Sequence, residues 1–479
     1  MKRGIIILTL FLLFIFGAVN TTSAELVSDF MHKIIPFEKL ELVGYFKNES
    51  SWRAAHQMNQ MMKLKNIFDI KASYKFYEWL EFYTEINTWY DAVYDIEGRY
   101  SDVSFKEKNI KLRMPVKQEW LRECYLDIFT PRIDMRFGKQ QVVWGTTDGV
   151  RILDMVNPLD YREWTIKDYS EIRIPLWMFK FESELVTNGH LQLLIIPDYQ
   201  PNYYAPAGSP FALRTVVIGA RTNPAVTVTT IDEEPNRTFE NNKIGLRWRK
   251  IIETGPLSGL EYTINYLHTY DFASSVYSRL EFGFPVKVYL TRRAEQIEVI
   301  GGSFSKTITK GIGDFGKGWT LRGEFAYVKN GAMNYGTDEN IVGTVDVDQY
   351  NYALGFDKTF FTNYLFSFQF IQLIADAKEN FNTNNYSLLF GPTRGPLDEV
   401  ETLLTLKVST DFFHERLKPE ILVIYGDDND WRISPKTSFE INDNLMVTLG
   451  AHIFSGKEQH LNGQFDKNDQ LFLEVKYSW

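Results

Sequence analysis

The residues able to do chemistry are few, and their spacing is unhelpful to an enzyme. Seven histidines and one cysteine occur in 479 residues. His190, His268, His414, His452 and His460 are scattered without ligand spacing. The sequence has neither a His-Glu-x-x-His helix nor a Gly-x-Ser-x-Gly elbow, the arrangements that bring a zinc ion or a nucleophile to a substrate. Thiolate-based zinc or iron–sulfur sites need several cysteines, so Cys124 reads as a packing residue. Gly301-Gly302 and Gly311–Gly318 have no helix after them and make poor phosphate cradles. The expectation is no catalytic residues, no cofactor and no metal. An outer-membrane hydrolase stays as the enzymatic alternative, because a Ser/His pair assembled at a rim leaves no local trace.

What does recur is charge at every second position. Glu81, Glu85, Glu261, Arg322, Glu324, Glu474 and Lys476 each sit on the polar parity of an alternating run. In 133–144, Ile133, Met135 and Phe137 share one parity, whereas Asp134, Arg136, Gly138 and Gln140 share the other. Lys139 and Gln141 fall on the apolar parity, so either the strand ends there or a bulge shifts its register. The following stretch, 145–170, is rich in turn formers: Asp148-Gly149 and Asn157-Pro158, with Asp160, Tyr161, Arg162 and Trp164 close behind.

Period two requires strands with one apolar and one wet face. Leu260, Tyr262, Ile264 and Tyr266 alternate with Glu261, Thr263 and Asn265, and Leu471, Leu473, Val475, Tyr477 and Trp479 with Phe472, Glu474, Lys476 and Ser478. The pattern gives about 18 strands (16–20), among them 58–71, 76–90, 133–144, 319–329 and 347–359. Gaps after even-numbered strands are brief. Gaps after odd-numbered ones are often long: 91–117, 145–170, 199–240, 272–293, 330–346 and 376–397. A soluble sandwich has no reason to segregate loop lengths, whereas a transmembrane antiparallel β-barrel does so, with short periplasmic turns and long extracellular loops. Aromatic residues reach 15% of the chain. Trp79, Trp89, Tyr90, Trp144, Tyr270, Tyr425, Trp431 and Trp479 fall at strand ends, where interfacial girdles lie.

Within a barrel the wet faces become a lumen. Asp134, Arg136, Gly138, Gln140, Arg322 and Glu324 are its candidate lining. Loop 145–170 is expected to fold into the mouth and constrict it, carrying Asn157, Asp160 and Arg162. Asp160 and Arg162 would pair with Arg136 and Asp134. Tyr203-Tyr204-Ala205-Pro206 and Phe211 are read first as loop packing and second as a ligand or partner site.

Residues 1–24 have the layout of a cleaved signal peptide: a basic head at Lys2-Arg3, an apolar run Ile5–Phe16, and small residues before Glu25. Residues 25–37 read as a periplasmic lead-in and 38–479 as the barrel. The expected location is the outer membrane of a Gram-negative bacterium. Expected partners are outer-membrane lipid, the barrel-insertion machinery acting on the terminal strand at Trp479, and periplasmic transport components. A net charge of −9 argues against nucleic acid, whose phosphates need a basic face.

One stretch carries a family likeness. Arg136-Phe137-Gly138-Lys139-Gln140-Gln141-Val142-Val143-Trp144-Gly145, then Asn157-Pro158-Leu159-Asp160, then Ile174-Pro175-Leu176-Trp177-Met178 resemble the signature of the bacterial outer-membrane family called domain of unknown function thirteen-oh-two. Lys139 stands where that pattern usually has arginine. The resemblance implies a porin-like barrel, a family considered with export or uptake of hydrophobic compounds, and supplies no established activity. The functional expectation is a channel or transporter for small or hydrophobic solutes. The alternative is a structural or binding barrel, as a partner sheath or an adhesion protein.

Overall fold

The computed structural model describes residues 39–54, 60–100, 112–113, 119–185, 189–206, 208–213, 226–235, 241–309, 317–336, 341–377, 387–389, 396–397, 399–458 and 460–479. The expected signal peptide and the whole of the lead-in lie outside them.

Eighteen strands form the wall: β1 (Leu40–Arg53), β2 (Met61–Tyr77), β3 (Leu80–Asp91), β4 (Leu121–Phe129), β5 (Asp134–Gln140), β6 (Leu176–Leu185), β7 (Gly189–Ile196), β8 (Lys243–Ile251), β9 (Leu260–Tyr270), β10 (Gln296–Thr307), β11 (Trp319–Gly336), β12 (Ile341–Phe360), β13 (Tyr364–Ala377), β14 (Val400–Ser409), β15 (Leu417–Gly426), β16 (Asp430–Glu440), β17 (Leu445–Ser455) and β18 (Gln470–Ser478). Each pairs antiparallel with its chain neighbours. The ring closes where β1 pairs β18, from Tyr45 opposite Ser478 to Arg53 opposite Gln470. Closure removes the edge that an open sheet would expose to hydrocarbon, where no partner exists for a backbone N–H or C=O.

Side-chain alternation sets the two surfaces. Phe46, Phe68, Leu246, Ile264, Leu354 and Leu449 are exposed on the outside. On the inside, Glu49, Asp69, Asn265, Glu324 and Gln369 are buried. Outward aromatics gather at the short-turn end, where Trp319 meets Phe360, Tyr364 meets Phe412, and Phe68 stacks on Trp479. Trp479 also exchanges backbone hydrogen bonds with Gly44, so the last residue lies in the closing seam.

Several expected boundaries move. The turn expected at 72–75 falls at 78–79, because β2 continues to Tyr77. Most of region 330–346 is strand: β11 runs on to Gly336 and β12 begins at Ile341, and the two pair there, with Gly331 opposite Val347 after a register shift at Asn330. Within 272–293, strands Ser275–Glu281 and Val286–Arg293 pair with each other, and Val226–Glu233 joins them in parallel. This small sheet leans on the extended hairpin through Asn334, whose amide bonds Val276 N and O at 3.0 and 2.7 Å. The strand expected over 133–144 ends at Gln140, and the chain leaves the wall there. That settles Gln141, whose backbone N–H bonds the Glu123 carboxylate. Lys139 keeps the outward parity, and its ammonium donates to Leu121 O at 2.7 Å.

Candidate functional site

The segment joining β5 to β6, residues 141–175, lies inside the ring of strands. It touches inward-facing side chains on nearly opposite sides of the wall. Its first half is apolar where it meets the wall. Val142, Trp144, Ile152, Leu153 and Val156 pack against Leu176, Met178, Leu194, Leu267, Val299, Ala326 and Ile371, all turned inward from β6 to β13. Two wall glycines make room: a Cβ at Gly301 would meet Leu153 at 2.6 Å, and one at Gly245 would meet Trp144 at 2.8 Å. The Trp144 indole N–H donates to Gln192 Oε1 at 2.7 Å. Burial of these side chains supplies the attraction, at roughly 25 cal/mol per Å².

Polar wall residues then fix the backbone. The Glu324 carboxylate accepts N–H bonds from Thr146 and Leu153. Asp148 meets Arg322 at 2.5 Å, and Arg322 also pairs with Asp357 at 2.7 Å. Asn157 closes the segment on itself: its amide oxygen accepts from Val142 N at 2.8 Å, and its NH₂ donates to Gln140 O and Ile174 O. Arg173 returns to Asp154 at 2.6 Å.

The second half is charged and faces the opposite wall. Glu163 meets Lys63 and Lys65, each at 2.5 Å. Lys167 meets Glu49 at 2.9 Å, and Glu171 meets Lys47 at 3.2 Å. Arg122 on β4 donates to the carbonyls of Ser170 and Glu171. Burial alone would raise the Glu163 carboxyl, but the ammonium groups of Lys167, Lys63 and Lys65 hold it well below the usual carboxylate range. Burial works against the Lys167 ammonium, and Glu163 and Glu49 outweigh it and raise its pKa.

Above this network, at the long-loop end, Trp164 packs with Phe211, Phe454 and Phe465. Tyr161 stacks on Tyr204 at 5.7 Å. Tyr204 and Phe211 therefore pack loops, which was the first of their two expected roles. Trp89 and Trp144 are not girdle residues, and both are buried inside the barrel: Trp89 falls on the wet parity of its strand, and Trp144 lies on the segment that leaves the wall after Gln140.

The candidate residues named from sequence divide into four groups. Arg322 and Glu324 on β11 and Gln140 at the end of β5 contact the inward segment, which carries Asn157. Asp160 and Arg162 pair with each other at 2.5 Å rather than with β5. Arg136 pairs with Asp127 across the β4–β5 ladder at 2.6 Å, and Asp134 begins β5 at the short-turn end. The expected cross-pairing fails because the two sets sit at different heights in the barrel. Gly138 answers a backbone need: its φ is +142°, and a Cβ would run into Cys124 O and Tyr125 Cα. Glu49, Lys63, Lys65, Glu163 and Lys167 were missed. Glu49, Lys63 and Lys65 were detectable as same-parity charges on β1 and β2, whereas Glu163 and Lys167 lie in an aperiodic stretch.

Between 160–173 and strands β1–β4 lies a cavity of about 520 Å³. It reaches from Met62 to Lys71 along β2, and Asp160, Arg162, Tyr45, Tyr83 and Lys476 are among its lining.

A closed antiparallel wall with an apolar exterior, a charged interior and a long inward segment is a porin-like outer-membrane barrel. The chain belongs to the family described as "Protein of unknown function (DUF1302)", whose profile matches residues 61–479. No curated protein matches the chain. Among solved structures it is similar to OccK8 (OprE) of Pseudomonas aeruginosa, at 11% identity and a TM-score of 0.48, covering 92% of this chain and 98% of that one. It is similar to the outer membrane protein OpdK of the same organism at 9% identity and 0.48, covering 92% and 100%. Salmonella typhi OmpF, solved in complex with daunomycin, gives 10% identity and 0.41, covering 92% and 97%.

Proposed function

We propose that this protein is an outer-membrane channel for small or hydrophobic solutes, and that segment 141–175 narrows its path. The observation that carries this reading is the attachment of one segment to both sides of the lumen, at Arg322 and Glu324 on β11 and at Lys63 and Lys65 on β2. A wall of eighteen strands encloses space for solute unless something fills it, and this segment is what crosses that space. The barrel does no chemistry in this reading. Asp160 and Arg162 line the route, whereas Asn157, Arg322 and Glu324 hold the segment in place. Its lipid contact is the outer belt. The insertion machinery engages the terminal strand, and periplasmic components deliver or receive solute.

Liposome swelling with sugars, amino acids and hydrophobic solutes tests the transport reading. Solute entry is expected, and failure of every solute to enter contradicts it. Deleting 148–165 tests the narrowing. Single-channel conductance is expected to rise several-fold, and an unchanged value removes the role assigned to the segment.

A second reading, a closed barrel that binds a partner, is favoured by one observation. The Trp164–Phe211–Phe465 cluster packs loops together at the long-loop end. Absence of swelling together with saturable binding of a partner at the long-loop end would favour it.

A further inference from the structure

The outer face of the wall carries a polar cluster that hydrocarbon cannot satisfy. Asn48 on β1 stands directly opposite Asn66 on β2. Both share the outward parity of Phe46 and Phe68, which are exposed, whereas Lys47, Glu49, Lys65 and Ile67 on the other parity are buried. The Asn48 amide donates to Asn66 Oδ1 at 2.9 Å, and Ser50 Oγ donates to Asn48 Oδ1 at 2.9 Å. The relay stops there. The NH₂ of Asn66 donates to no described residue. Turning the amide over exchanges a bare NH₂ for a bare carbonyl and leaves one end unused.

Depth makes that end costly. Asn48 lies four residues above Gly44, whose backbone bonds Trp479 in the closing seam, and four below the outward Trp52. Four residues climb about 13 Å along a strand, or about 10 Å of depth at the tilt of a barrel strand. The pair therefore sits between the two girdles, where an unpaired N–H has no water to meet. Another outward amide is treated differently. Gln372 on β13 accepts from the Tyr352 phenol on β12 and donates to Thr402 Oγ1 on β14 at 3.2 Å, so both its ends are used within the wall. On β3, the residue opposite Asn66 is Tyr90, whose phenol donates to Asp95 instead.

We propose that the outer face of β18, β1, β2 and β3 is the interface of a two-fold dimer of this chain, in which the Asn66 amide pairs with the same amide of a second copy. Two copies inserted in the same direction are related by an axis along the membrane normal, so a residue beside that axis meets its own counterpart. A carboxamide suits such a place. Its NH₂ donates to the counterpart's oxygen, and its own oxygen has a second lone pair with which to accept in return. Exposed rings frame the pair, with Phe46, Phe68 and Tyr477 toward the short-turn end and Trp52 and Tyr90 toward the other. Aromatic residues of this kind anchor protein interfaces. Four strands about 4.8 Å apart over about 25 Å of height present on the order of 500 Å² per copy, the lower end of specific interfaces.

The test uses the full barrel in lipid vesicles. Energy transfer between donor- and acceptor-labelled copies gives the dissociation constant, and its dependence on acceptor fraction gives the number of copies. Saturable transfer with the linear dependence of a dimer is expected. Asn66→Leu removes the amide and suits lipid, and it is expected to raise the dissociation constant about tenfold, the loss of two reciprocal hydrogen bonds in a membrane. Heat-modified gel mobility checks that this variant remains a closed barrel. A second arm uses the Cys124→Ser background, in native membranes treated with copper phenanthroline in air. Asn66→Cys is expected to cross-link into a homodimer, whereas Leu354→Cys, on the outward face of β12, is expected not to. A monomer overturns the proposal, as does a trimer, whose three-fold axis cannot pair two amides alone. An Asn66→Leu barrel that associates as tightly as the native one overturns the part given to the amide. Equal cross-linking at both positions overturns it too, because contact is then collision. A cross-link from Asn66→Cys to a different protein overturns the second copy as the occupant.

Discussion

At the scale of single residues, Glu163 is the position on which most of the charged half depends. One carboxylate faces three ammonium groups, on Lys63, Lys65 and Lys167. Replacing Glu163 by glutamine leaves those charges crowded without their shared partner. Breaking a buried pair from one side costs about 3–5 kcal/mol, so Glu163→Gln should loosen residues 160–171, seen as faster amide hydrogen exchange there and not in β11. The pH dependence follows from the same contacts. The folded pKa of Glu163 lies below its unfolded value. Its contribution is therefore complete above the ordinary carboxylate range and is lost as pH falls through the depressed folded value. Protection of this segment, its exchange rate taken relative to the intrinsic amide rate at each pH, should stay flat from pH 8 down to about 5 and fall only in stronger acid. A loss of protection already at pH 6 would contradict the network. Charges such as Arg322 and Glu324 were legible in the sequence because strand parity says which way they point. Glu163 and Lys167 were not, because a segment without period gives no such direction.

Segment 141–175, at the scale of elements, has two unlike attachments, and they fail differently. The charged half depends on ionisation, whereas the apolar half depends on fit. Leu153 occupies the space left by Gly301 within the buried cluster. Leu153→Ala removes that filling and should cost about 2–5 kcal/mol of local stability. Arg151 sits two residues away, where its guanidinium bonds Asn157 O at 2.7 Å. Cleavage by trypsin at Arg151 should be faster by about two orders of magnitude in the variant, since proteolysis follows the population of the open form. Equal cleavage rates would mean that the apolar half does not hold the segment. The inward fold of this stretch was anticipated from its turn formers at Asp148-Gly149 and Asn157-Pro158 and from its aromatics Tyr161 and Trp164. Its partners were not, since pairing across a lumen depends on height, and height depends on where strands end. Those ends were the weakest part of the reading: β2 runs on to Tyr77, and β11 and β12 continue as a paired hairpin beyond the expected wall. Extra residues in an already paired ladder keep their hydrogen bonds, so a strand has no need to stop where the membrane does.

At the scale of the whole molecule, strand number, order and closure were readable because they follow from two constraints acting everywhere: period two, and the absence of any edge. The interior was harder to read, because the expectation of a wet lumen is only half met. From β6 to β13 the inward face bears leucine, valine and alanine that pack on the segment, while β1–β4 and β16–β18 carry most of the charge. The barrel is thus two-sided within as well as inside-out overall, and its outer surface is mostly apolar, with exceptions such as Lys139 and the Asn48–Asn66 pair. That outer belt gives the sharpest test of where the protein resides. Leu449 lies mid-strand in β17, 62% exposed, between Thr437 on β16 and Leu473 on β18. An arginine there, placed against hydrocarbon, should cost about 2–4 kcal/mol near the midplane. Leu449→Phe, which adds bulk without charge, should stay within about 0.5 kcal/mol as an exposed substitution away from the packed interior. Urea unfolding from lipid vesicles measures both. If Leu449→Arg unfolds like Leu449→Phe, the face is not immersed in lipid. The apolar belt would then need another partner, and the barrel would lose the solvent asymmetry from which its alternation follows.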